Sequence, residues 1–217
     1  MRARIVVGWS LLLACGGIGF AAPVPAFNLG KLLGQTVSVV VVQRSGAVDE
    51  VDVKAALIAG GLTTGDRFKL TAPPEVRRLL DGGHWVCTFL SSASNGQRHL
   101  ASDYYGWLVV DPKHLTSSSG PDAIEDQALD NLESADAVVQ TSGIAWIQRL
   151  KSAKGNARLA TLAKAPAASR VIVAGYLETS IPGGNVDVLR RAVSFINDAE
   201  IAKENPALAN KVKWAFS

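Results

Sequence analysis

The alternation of apolar and polar positions divides the chain into short segments of strand and helix character. Gln35 to Gln43 reads Q-T-V-S-V-V-V-V-Q. The run Val39 to Val42 does not alternate with polar residues, so it predicts a strand covered on both faces. Val51, Ala55 and Ile58 then recur at helical spacing, and Gly60-Gly61 follows as a stop. Arg67 to Leu70 predicts a short strand, and Pro73-Pro74 opens a helix that carries Leu79-Leu80 to Gly82-Gly83. Trp85, Cys87 and Phe89 alternate with His84, Val86 and Thr88 as a strand would. Asn95-Gly96 is the dipeptide preferred in a tight hairpin turn, and Tyr104 to Val110 supplies another β segment ended by Asp111-Pro112.

Beyond residue 115 the helical period dominates. Leu115 to Gly120 is polar and ends in glycine, and a subdomain boundary would fall there, at 115–120. Ile124, Ala128, Leu132, Ala135 and Val139 share one helix face after Pro121, and Gly143 reads as the break that follows. Val171 to Leu177 has strand composition. Ser180 to Gly184 is a loop, and Asn185 can cap a helix with apolar residues from Val188 to Ala199. Asn205-Pro206 opens a last helix that carries Leu208, Val212 and Trp214 to Phe216 to the end of the chain, which would dock the terminus on the core. The fold class implied is α+β: a mixed β-sheet with an antiparallel hairpin, packed by several helices, with a helix-rich C-terminal half. A single α+β domain over residues 22–217 accommodates these elements.

The N-terminus has a different character. Met1-Arg2-Ala3-Arg4 precedes an uncharged stretch from Ile5 to Leu29, and its strongest apolar block, Ile5 to Ala14, is about half as long as a membrane span requires. A signal peptide over residues 1–21 is expected, with Gly19 and Ala21 forming a small-x-small cleavage site before Ala22. A second route is open. Leu12-Leu13-Ala14-Cys15-Gly16 resembles the lipobox of bacterial lipoproteins. That resemblance implies a signal over 1–14 and acylation of Cys15 as the first mature residue. Either route predicts a protein working in the periplasm, secreted, or tethered as a lipoprotein. Membrane attachment would come only through that lipid anchor or an uncleaved signal.

Loss of the leader changes the charge. Removing Arg2 and Arg4 from the 22 Lys and Arg leaves a formal charge near +1 against 19 Asp and Glu. A near-neutral chain without a basic stripe excludes a nucleic-acid partner. The charges are segregated, however. Asp122, Glu125, Asp126, Asp130, Glu133 and Asp136 make the helix face over 122–136 acidic, while Arg149 to Arg170 is basic and lacks acids. Packing of the two segments as an αα-hairpin would set acid beside base, and the acidic face is also a candidate surface for an envelope protein partner.

Candidate chemistry is sparse. His84, Cys87, His99 and Asp103 are zinc-compatible ligand types that a hairpin turning at Asn95-Gly96 could gather. Against this, residues three apart on a strand diverge, and Cys87 shares its face with Trp85 and Phe89 as a buried hydrophobe would. Cys87, His99 and Asp103 are also the candidates for a thiol nucleophile with its base, which would make a hydrolase. Gly183, Gly184 and Asn185 lead into a helix N-terminus, where backbone N–H groups can meet an anionic ligand. No G-x-S-x-G, H-E-x-x-H, S-x-x-K or C-x-x-C motif is present and no cofactor motif is assembled. The expectation is a non-catalytic extracytoplasmic protein that binds a protein partner or small ligand, with no cofactor; the cysteine hydrolase is the alternative.

Overall fold

A computed structural model describes residues 26–92, 97–197 and 199–215. It is an α+β fold built on one mixed six-stranded sheet. The strands are β1 (Ser38–Arg44), β2 (Glu50–Ile58), β3 (Arg67–Thr71), β4 (Trp85–Leu90), β5 (Gln97–His99) and β6 (Trp107–Val110), in the order β5-β3-β2-β1-β4-β6. The run Val39 to Val42 occupies β1, next to the centre. Val39 and Val41 face one apolar cluster and Val40 and Val42 another, so the non-alternating valines are covered on both faces.

Residues 50–58, expected as a helix, are instead strand β2, paired antiparallel with β1. The ladder shifts register between Val39 and Val40 and again between Val41 and Val42. These bulges re-phase the strand: Val51 and Val53 serve one core, Ala55, Leu57 and Ile58 the other. A twice-bulged strand thus mimics helical spacing. Gly60 then closes it at φ 48°, where an added Cβ would sit 2.0 Å from the Val37 carbonyl oxygen.

The N-terminal helix α1 (Leu29–Gly34) precedes β1, and α2 (Pro74–Asp81) connects β3 to β4. The turn expected at Asn95-Gly96 lies outside the described residues. On its far side β5 runs parallel to β3, and only a bridge from Leu90 to Leu100 is antiparallel to β4. Ser91 N–H donates to His99 O at 3.0 Å and Ala101 N–H to Phe89 O at 2.7 Å. β5 is therefore held from both sides, and the sheet curls around the cluster of Val40, Val53, Val76 and Leu80.

The helices that cover the opposite face are α3 (Asp122–Asp130), α4 (Ala137–Leu150), α5 (Ala153–Leu162) and α6 (Arg170–Ser180). The break expected at Gly143 falls earlier, at Ser134 to Asp136, and α4 runs through Gly143. There the missing side chain permits close packing, because a Cβ would lie 2.7 Å from Ala128 O on α3. Ala135, placed on the apolar face by the pattern, is exposed as a result. Acid does meet base at α5: Lys154 Nζ reaches Asp126 of α3 at 2.9 Å, and Arg158 pairs with Glu133 in the turn that follows α3.

Helix α4 and the turn before it, Asn131–Glu133, also seal the outer edge of the sheet. Trp107 O accepts from Trp146 Nε1 at 2.9 Å, Val109 N–H donates to Ser142 Oγ at 3.0 Å, and Val109 O accepts from Asn131 Nδ2 at 2.6 Å. These side chains occupy the backbone groups through which an open edge recruits another strand.

Residues 171–177, expected as a strand, lie in α6. Ser169 Oγ caps the helix by accepting from Ile172 N–H at 3.2 Å. Ile172 enters the main cluster, while Ala174 and Leu177 enter a third cluster with Ala192, Leu208 and Val212. A helix apolar on several sides shows no amphipathic period, so its β-branched residues read as strand. The third cluster joins α6 to α7 (Val186–Ile196) and α9 (Pro206–Ala215), with α8 (Ala199–Glu204) between them. The last helix docks through Leu208 and Val212, which are buried as expected, whereas Trp214, expected on the core with them, is 77% exposed. Phe216 lies outside the described residues. Among the described residues no helix is long and apolar enough to cross a membrane.

Candidate functional site

Where α2 ends, Gly82-Gly83 turns the chain into β4, and Gly83 adopts φ 85°. His84 N–H donates to Leu79 O at 3.1 Å, which fixes the next side chain over the end of the sheet. Beside it lie the end of β6, with Asp111 and Pro112, and the start of α4, with Asp136 and Val139. Together these form an open cleft of about 260 Å³, lined also by Trp85.

The polar groups of the cleft are linked. His84 Nε2 lies 3.4 Å from Asp136 Oδ2. Asp136 Oδ1 caps α4 by accepting from Val138 N–H at 2.7 Å, and Asp136 N–H donates to Ser134 Oγ at 3.1 Å. Ser134 Oγ donates in turn to Asp111 Oδ2 at 2.6 Å, while Lys113 N–H donates to Asp111 Oδ1 at 2.9 Å. The Ser134 bond, aided by Lys113 and His114 and opposed by burial, holds the Asp111 carboxyl below the usual carboxylate range. The cleft therefore presents two carboxylates and one imidazole. His84 Nδ1 is buried and has no hydrogen-bond partner among the described residues, so the ring nitrogen left over from the Asp136 contact is shielded from a substrate. Recognition suits this geometry better than proton abstraction, which needs the basic nitrogen within reach of the reacting group.

The other candidate residues are dispersed. Cys87 is 1% exposed between Val41 and Leu108, on the face of Phe89, and burial pushes its thiol up to about 12. His99 is half-buried on β5, in register with Thr71, and Asp103 is exposed in the turn before β6. His84 stands apart from all three, beside Asp136. Among the described residues no group of three or more His, Cys, Asp or Glu is placed to hold a metal ion. Gly183, Gly184 and Asn185 are exposed, and Asn185 Oδ1 itself accepts from Asp187 N–H at 2.9 Å and Val188 N–H at 3.3 Å. The donors an anion would use at that helix start are thus engaged. Cys15 lies outside the described residues. On the acidic face, Glu125 is bonded by Ser152, and Asp126 and Glu133 by the bases of α5.

Asp111, Ser134 and Asp136 were not legible as partners of His84. Asp111 reads as a strand terminator and Asp136 as one more acid on a helix face. They meet only because α4 packs along β6. No family model, curated protein or solved structure matches this chain.

Proposed function

We propose that this protein is a non-catalytic binding protein of the extracytoplasmic space, and that the His84–Asp111–Asp136 cleft receives a small ligand or partner side chain rich in hydrogen-bond donors. The convergence of two carboxylates and an imidazole beside the Trp85 ring carries this reading. An amine or guanidinium would find acceptors there and an apolar wall for the rest of the molecule. The alternative hydrolase needs a thiolate at the surface, whereas Cys87 is sealed in the core with a raised pKa. The extracytoplasmic setting rests on the leader over 1–21, or 1–14 if Cys15 is acylated. Intact mass of the protein recovered from an envelope fraction separates a chain starting at Ala22 from one starting at lipidated Cys15; retention of Met1 in a cytoplasmic fraction would overturn the setting.

The binding site itself is tested by amide chemical-shift mapping during titration with butylguanidinium. Saturable shifts confined to Gly83, His84 and Val139, lost in Asp136→Asn, are the expected result. A folded protein showing no saturable shifts at those amides would remove the cleft as the binding site.

A further inference from the structure

At the other end of α4, about 20 Å from Asp136 by the rise of the helix, a second site has the opposite charge. Arg149 lies half-buried in the last turn of α4, its guanidinium carbon 5.3 Å from the Tyr105 ring centroid and 5.9 Å from that of Trp146. Phe27 braces both rings edge-on, at 5.3 Å from Tyr105 and 5.6 Å from Trp146. The cation is thus positioned by three aromatic side chains, two of them beneath it.

Among the described residues this guanidinium has no hydrogen-bond or ion-pair partner, and no carboxylate contributes to its charge balance. Arg44, Arg67 and Arg158, by contrast, each meet an aspartate or glutamate. Burial lowers the pKa of Arg149, with only the Tyr105 phenol acting in the other direction. Aromatic faces and the carbonyl end of α4 offset part of the cost of desolvating the cation, but they leave its planar fork of N–H donors unused. Such a fork matches an oxyanion, which it can engage through two parallel hydrogen bonds. On the neighbouring residue, Tyr104 is 51% exposed, with its ring 6.4 Å from that of Tyr105. That exposed ring offers an apolar surface beside the Tyr105 ring on which the cation rests.

We infer that Arg149, held over Tyr105 and Trp146, is a binding site for an oxyanion borne on a flat apolar group, with Tyr104 contacting that group. The site is independent of the His84 cleft, since its ligand has the opposite charge and docks at the opposite end of α4. A carboxylate and a phosphate share the required headgroup chemistry.

The test is titration of the full chain with benzoate, phenyl phosphate and acetate, following the Arg149 Nε–H and Trp146 indole N–H signals by NMR. Benzoate or phenyl phosphate should shift both signals saturably, and the tighter of the two identifies the headgroup. Acetate should bind at least ten-fold more weakly than benzoate, and Tyr104→Ala should erase that difference. Arg149→Gln should abolish the shift of the Trp146 indole, and Arg149→Lys should weaken binding while keeping the charge. If neither aromatic anion gives saturable shifts at Arg149 in the folded wild-type chain, the inference fails; this reading does not depend on whether the variants fold. Equal binding by folded Arg149→Gln would overturn it as well.

Discussion

Asp111 accepts hydrogen bonds from Ser134 Oγ and Lys113 N–H, and it stays ionised to lower pH than an isolated aspartate. A carboxyl whose pKa is depressed on folding adds stability above its unfolded pKa, and that stability is lost as pH falls through the folded value. Ser134→Ala removes the largest cause of the shift. At pH 7 the variant should be less stable by about 1 kcal/mol, a value discounted because Asp111 is partly solvated. The gap should begin to narrow below about pH 4, as Asp111 becomes protonated first in the variant and then in the wild type. Urea unfolding of both proteins at pH 7 and at acid pH measures this. A gap of constant size across that range would show that the serine acts through packing alone.

At the scale of the element, the covered edge of β6 has the clearest consequence. Asn131 is fully buried; it donates to Val109 O and accepts from Gln127 Nε2 at 3.0 Å. Asn131→Ala leaves a strand carbonyl without that donor and an amide without that acceptor, which should cost about 2–3 kcal/mol. It also reopens part of the sheet edge, so concentration-dependent association should accompany the lower melting temperature. Thermal melting with light scattering reads both effects; an unchanged melting temperature would mean that water replaces the asparagine. The same elements differ in how far local sequence encodes their tertiary setting. The doubly covered β1, the Pro-opened α2, the Trp85 strand and the Asn185-capped α7 carry local signals that agree with their tertiary setting. Strand β2 and helix α6 carry signals that conflict with it: bulges gave β2 an apparent helical spacing, and burial on several sides gave α6 a strand-like composition. The link between His84, Asp111 and Asp136 left no local signal, because helix packing creates it across residues far apart in the chain.

For the whole molecule, stability should be graded from the sheet towards the C-terminus. Val39, Val40, Val41 and Val42 are all inaccessible, and β1 is hydrogen-bonded to a strand on each side. The third cluster is smaller. On α7 only Ala192 is fully buried, while Val188, Val193, Phe195 and Ile196 are partly exposed and Val186 is 59% exposed. Local opening costs least where few apolar groups lose their cover. Native-state hydrogen exchange should therefore show α7 and α9 opening well below the global unfolding free energy, with β1 and β4 exchanging only through global unfolding. The Arg149 ring stack lies on the sheet side of this gradient, since Trp146 stacks on Phe89 of β4 with ring centroids 5.2 Å apart. The His84 cleft lies there too, between the start of β4 and the end of β6. Both sites consequently rest on the slowly exchanging part of the fold. Protection of α7 and α9 equal to that of β1 would contradict this division and make the C-terminal helices part of the same cooperative unit.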